Sequence, residues 1–165
     1  MSKKRYNYSE SGLPNIFIDN VSYVENDRGE IIYKLGTIKV INALIAFSLL
    51  VKPFGLSGKE VKFLRKFMRL TQDGLGNLLS KSRITVNRWE QNTLALDRNA
   101  EIVLRLAAFE TVKSAQLLDL SVFQPLSIDE MSNLPDFTEE TPYEIQFKFD
   151  DEGKEVVLES TKLRA

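Results

Sequence analysis

Between Leu70 and Asn92 the chain reads LTQDGLGNLLSKSRITVNRWEQN, a spacing of apolar residues that fits two short helices joined by a tight turn. Thr71 is placed to cap the first helix, and Leu75, Leu78 and Leu79 then fall on one face at helical spacing. Ser80, Lys81 and Ser82 interrupt the apolar pattern. Ser82 is placed to cap a second helix whose inward face is Val86 and Trp89, three residues apart. Arg83, Ile84, Thr85, Asn87 and Arg88 are left facing outward.

The segment before this pair has the same clarity. Ser57 followed by Glu60 is a capping box, and Leu56 can staple against Val61. Val61, Leu64, Phe67 and Met68 mark an inward face, leaving Lys59, Lys62, Arg65, Lys66 and Arg69 outside. After the pair, Asp97 is placed to cap a further helix carrying Ile102, Val103, Leu106 and Ala107, which either continues through Leu118 or yields to a second piece. About five helices are expected between Ser57 and Leu118. Apolar positions near their end can serve a dimer surface or the chain's own core.

Charge follows the same division. Lys59 to Arg98 holds nine basic and four acidic residues, whereas Asp119 to the end holds four basic and twelve acidic. The net charge of -1 therefore hides a basic middle able to face phosphates and an acidic tail able to face a basic partner. The chain has no cysteine and no histidine, which excludes disulfides, Cys/His zinc sites and histidine acid–base catalysis. The acidic pairs Glu139-Glu140 and Asp150-Asp151 sit in loop-like text with no nucleophile nearby, so no enzyme, cofactor or metal is expected.

The flanks are simpler. Residues 1 to about 15 read as a loose polar arm. Its Lys3, Lys4 and Arg5 precede a polar run rather than an apolar one, so no signal peptide and a cytoplasmic location are expected. Ile16 to Leu35 reads as two strands around Asn26-Asp27-Arg28-Gly29. Ile38 to Val51 reads as a helix buried on most sides and ending before Pro53, too short for a bilayer span of roughly 20 residues. Pro125, Pro135 and Pro142 loosen the text around a short helix at 128–134. Tyr143, Ile145, Phe147 and Phe149 then share one face of a strand, Asp150-Asp151-Glu152-Gly153 turn, and Val156 and Leu158 begin the return. With 43% apolar residues in 165, the expected division is 1–54 (arm, hairpin, buried helix), 55–118 (helical domain) and 119–165 (acidic extension).

The stretch Leu70-Thr71-Gln72, Leu75-Gly76, Leu79, Ser82, Thr85-Val86-Asn87, Trp89-Glu90 resembles the helix-turn-helix of the XRE/Cro-like repressors. Upstream, Tyr6-x-Tyr8-x-Glu10-Ser11-Gly12-Leu13-x-Asn15 and LSGKEVKFLRKFMRLTQ are similar to antitoxins of the MqsA or YgiT kind. Those antitoxins often carry an N-terminal zinc module built on cysteine pairs, which this chain lacks. Gly76 stands where the pattern has alanine, Lys81 where it has an apolar turn residue, and Asn92 where it has a closing glycine.

The resemblance implies a mainly α fold with small β additions: a five-helix lambda-repressor-like domain flanked by N-terminal and C-terminal β-hairpins. It also implies a homodimer reading a palindromic operator in double-stranded DNA. Base contacts would fall to Arg83, Ile84 and Arg88, with Thr85 and Asn87 at the margin, although Ile84 also suits the core at a helix start. Phosphate contacts would fall to Gln72, Thr71, Ser82, Arg69 and Arg65. Val86 and Trp89 are expected in the core, and Glu90 is expected to pair with a basic residue of a neighbouring helix. The function implied is transcriptional repression. Two alternatives stand beside it: neutralisation of a toxin protein with autoregulation, and protein interaction without DNA.

Overall fold

Alternating apolar residues at Ile16, Ile18 and, after one interruption, Val21 build the central strand of a sheet. In this computed structural model, which describes residues 2–35, 38–122, 125–138, 143–149 and 156–163, the chain divides into two compact units. One unit joins residues 1–42 to 141–165; the other is 43–140.

The first unit is a five-stranded sheet of β1 (Lys3–Asn7), β2 (Ile16–Glu25), β3 (Ile31–Lys34), β4 (Tyr143–Phe149) and β5 (Val156–Leu163). β2 and β3 form an antiparallel hairpin, as do β4 and β5. Asn26 makes the first bend: its side-chain oxygen accepts the Arg28 and Glu30 amides, while Gly29 takes the left-handed conformation at φ 77°. β2 and β4 then pair in parallel, from Ile16 opposite Ile145 to Asp19 opposite Lys148. The two terminal hairpins are therefore parts of one sheet. Through this pairing, strands far apart in sequence share one compact unit.

Residues 1–15 are not a loose arm. β1 pairs antiparallel with β2, and Tyr8 and Leu13 are buried. Ser11 organises the tight bend between them, donating to the Tyr8 carbonyl and accepting the Leu13 amide, with Gly12 left-handed at φ 80°. One sheet face holds Ile16, Ile18, Val21, Ile145 and Phe147, all fully buried. Asn20, at φ 62°, shifts the alternation by one residue and donates to the Phe149 carbonyl. The expected turn at Asp150–Gly153 and the pair Glu139-Glu140 lie outside the described residues.

Burial, together with the neighbouring Glu10 carboxylate that accepts its hydroxyl, pushes Tyr6 up to about 12; burial also raises Tyr8. A phenol raised on folding favours the folded state while neutral. Its contribution is complete below the unfolded value of 10.0 and lost as pH rises through about 12. Denaturant titrations between pH 9 and roughly 12 should therefore show falling stability, with a shallower fall in Tyr6→Phe.

The second unit is helical. α1 (Ile38–Leu50) begins in the first unit and enters the second, and every residue from Ala43 to Leu50 is buried. Then follow α2 (Gly58–Phe67), α3 (Gln72–Leu79), α4 (Arg83–Glu90), α5 (Arg98–Ala115) and a short α6 (Ile128–Ser132). Between Ser57 and Leu118 there are four helices, not five, because the segment after Glu110 continues α5 without a break. The caps follow the local text: Ser57 and Glu60 form the capping box, and Asp97 accepts the Ala100 amide. No helix among the described residues is long and apolar enough to cross a membrane.

The last carbonyls of α1 have no partners within their own helix. Arg105 supplies them from α5. Fully buried, it donates to the carbonyls of Leu49, Leu50, Lys52 and Phe54 at 2.8–3.2 Å and to the Glu101 carboxylate at 2.8 and 3.0 Å. Beside it, Lys52 meets Glu60 at 2.6 Å under the Phe54 ring. Burial lowers the Lys52 pKa, opposed by Glu60.

Gly76 has a packing role. A Cβ there would stand 2.6 Å from the Lys81 carbonyl, and the Lys81 amide donates to the Gly76 carbonyl at 2.8 Å. Alanine would gain about 1 kcal/mol of helix propensity. Against that stands the roughly 1–3 kcal/mol cost of overpacking onto backbone. Gly76→Ala is thus expected to lower the melting temperature, and an increase would contradict this packing.

Candidate nucleic-acid interface

The α3–α4 pair is built by its caps. Thr71 accepts the Gly74 amide at 3.0 Å and starts α3; Ser80, left-handed at φ 54°, ends it. Two residues later Ser82 accepts the Thr85 amide at 3.1 Å and starts α4. Leu75 and Leu79 are buried, but Leu78 is 44% exposed, so the inward face of α3 is narrower than its three leucines imply. Val86 and Trp89 anchor α4 in the core, as their spacing predicts.

The opposite side of α4 faces solvent. Arg83 and Arg88 are exposed, and among the described residues neither has an ion-pair partner. Ile84 is 65% exposed, which overturns the alternative that it belongs to the core. Thr85 and Asn87 are half-buried, and the Thr85 hydroxyl lies 2.9 Å from that of Ser82. Thr71, Ser82 and Arg69 are exposed near the helix starts and the turn before α3.

Two expected phosphate contacts are engaged elsewhere. Arg65 is buried: its Nε lies 2.5 Å from Glu90 Oε1, its Nη2 lies 3.2 Å from Oε2, and Nη1 donates to the Leu70 carbonyl at 2.9 Å. Gln72 donates to the same Glu90 carboxylate at 2.9 Å. Glu90 therefore ties the end of α4 to α2 and to the start of α3. Sequence reading anticipated that Glu90 would pair with a basic residue, but its periodic template for α2 put Arg65 outside. Phe63, on no expected inward face, is buried, while Phe67 and Met68 are only half-buried.

Arg65→Ala is accordingly a stability variant. It leaves the Glu90 carboxylate, only 4% exposed, without its bidentate partner, and should cost about 3 kcal/mol or more. If Arg65 held a phosphate, the same variant would instead reduce the salt dependence of DNA binding by about one counterion. Chemical denaturation and a salt series on the variant separate the two effects.

The rest of the positive surface is partly committed. Lys81 meets Asp97 at 3.0 Å, both substantially exposed. Burial works to raise the Asp97 carboxyl, but the Ala100 amide and Lys81 outweigh it and hold that carboxyl below its ordinary value. Lys59, Lys62 and Lys66 are exposed along α2. Among the described residues no cluster of three or more acidic side chains could hold a metal ion.

No protein-family model, curated protein or solved structure matches the chain.

Proposed function

We propose that the chain is a sequence-specific DNA-binding regulator, a repressor of the XRE/Cro-like helix-turn-helix kind, with α4 entering the major groove. The observation that carries this reading is the solvent face of α4. Two arginines without ion-pair partners among the described residues flank an isoleucine that no core packing explains. An arginine can donate two hydrogen bonds to guanine, and an isoleucine can contact a thymine methyl. Arg83 and Arg88 are then base readers, and Ile84 gives a preference for A·T at its step. Thr85 and Asn87 border the contact. Thr71, Ser82 and Arg69 meet phosphate, whereas Arg65 and Gln72 act through Glu90 by fixing the angle between the helices. In this reading two copies bind a palindromic operator with half-sites about one helical turn apart. Val103 and Leu106, both exposed on α5, are available to the dimer contact.

The test is fluorescence anisotropy of the purified chain on DNA from upstream of its own gene, beside a shuffled duplex, across a salt series. The reading expects a preference for the upstream DNA and an affinity that falls steeply with salt. Equal, weak binding to both duplexes would overturn it.

A further inference from the structure

The sheet ends in β1 on one side and β5 on the other, and β3 adds a further edge beside β2. Among the described residues β3 pairs with β2 alone. The β1 edge carries Lys3, Lys4 and Arg5, charge of the kind that blunts an edge against other chains. β3 has no such protection. It reads Ile31-Ile32-Tyr33-Lys34 and exposes Ile31 at 41% and Ile32 at 50%, beside Val24 at 36%. The Tyr33 ring packs against those of Tyr6 and Tyr23, with centroids 4.5 and 6.1 Å away, which holds the strand in place. The ladder decides which backbone groups face outward. The Asn26 amide donates to the Glu30 carbonyl at 3.0 Å, and on β2 the Tyr23 amide points the other way, to the Ser2 carbonyl at 3.3 Å. By alternation Ile32 and Lys34 turn their amides and carbonyls to β2, while Ile31 and Tyr33 turn theirs to the open edge.

We infer that this edge pairs with the same edge of a second copy of the chain, antiparallel about an axis at Ile32. In that register Ile31 faces the partner's Tyr33 and Tyr33 faces the partner's Ile31, so the outward amides and carbonyls of both residues find acceptors and donors. Ile32 meets the partner's Ile32 at the position without hydrogen bonds, where Cα atoms stand about 4.5 Å apart and side chains touch. Glu30 meets the partner's Lys34, and Lys34 the partner's Glu30. Charge selects a second copy as the occupant. A strand acidic at one end, basic at the other and apolar between is its own complement when reversed. The neighbouring registers that keep the ladder would instead set Glu30 or Lys34 against the partner's Ile32. None of these residues lies on α3 or α4, and the exposed face of α5 is a separate surface, so this inference and the DNA-binding reading stand or fall separately.

The chain has no cysteine, so Ile32→Cys introduces a single thiol on an exposed position. The full-length variant is held with oxidised glutathione at rising protein concentration, and disulfide-linked dimer is read on a non-reducing gel. Facing positions of an antiparallel pair bring two sulfurs within bonding range. Val24→Cys is the control: it lies opposite Ile32 on the inner strand, so in the paired sheet its two copies stand about 14 Å apart, three strand spacings. Ile32→Cys is expected to form linked dimer about tenfold faster than Val24→Cys or more, because paired thiols react as though concentrated. Adding Lys34→Glu sets carboxylate against carboxylate at both ends of the pair and should slow linkage of Ile32→Cys about fivefold, with high salt restoring part of the rate. Equal rates for the two cysteine variants, or a rate that Lys34→Glu leaves unchanged, would each overturn the assignment.

Discussion

Replacing Arg83 and Arg88 together by alanine is expected to weaken binding to the upstream DNA on the order of a thousandfold, as each paired arginine–guanine contact carries about 1–3 kcal/mol. The fold should be unaffected. Both side chains are exposed on α4, neither has an ion-pair partner among the described residues, and alanine is the better helix former. Circular dichroism and thermal unfolding of the double variant should therefore overlay the parent. Discrimination between upstream and shuffled DNA should collapse along with affinity. Lys59→Ala with Lys62→Ala, which removes the same number of charges from α2, should lower affinity for both duplexes alike and leave the discrimination intact. If the two double variants behave identically, α4 acts through its charge alone and reads no bases.

The largest expected effect on stability comes from Arg105. Arg105→Met keeps much of the side-chain volume but removes the guanidinium hydrogen bonds to the Leu49 and Leu50 carbonyls at the end of α1 and to those of Lys52 and Phe54 just beyond it. It also leaves Glu101, 5% exposed, with only the longer 3.3 Å contact to Arg98. Breaking a buried charge pair from one side costs about 3–5 kcal/mol. In a chain of this length that amounts to roughly a 10 °C fall in melting temperature. Arg105→Met combined with Glu101→Gln should recover part of the loss, because the uncompensated carboxylate is gone, while the hydrogen bonds that Arg105 gave to the backbone carbonyls stay lost. A single variant melting within about 2 °C of the parent would show that those carbonyls find other donors.

What could be read in the sequence was what its neighbours in sequence decide. Ser57 with Glu60, Thr71, Ser82 and Asp97 each precede a helix and cap it by accepting the amide three residues on, and each does so here. Asn92, which stands where the pattern has a closing glycine, takes the left-handed backbone that glycine would, with φ 55°, and accepts the Gly58 amide at 2.7 Å. In the strand Tyr143–Phe149, Tyr143, Ile145, Phe147 and Phe149 are buried as their alternation predicts, although Glu144 is buried as well.

The misreadings were long-range. Nothing near Lys3–Asn7 marks it as a strand, because its partner lies beyond the Ser9–Gly12 bend. The parallel pairing of Ile16–Asp19 with Ile145–Lys148 spans almost the whole chain. On α4, the helical period placed Arg83, Ile84 and Arg88 on the outward face, and all three are exposed. The same reasoning misassigned Arg65 because a guanidinium on the edge of a helix can turn inward when a carboxylate waits there. That carboxylate, Glu90, is 25 residues away.

The most direct test of the central claim is to map the DNA contact by residue. Amide and side-chain nitrogen resonances of the labelled chain would be followed while upstream DNA is added. The account predicts that the largest changes fall on Arg83 to Arg88 and on Thr71 and Ser82, including the guanidinium signals of Arg83 and Arg88. The guanidinium of Arg65, closed around Glu90, should change little. Changes that leave α4 untouched and gather elsewhere would contradict the claim that its exposed face reads DNA.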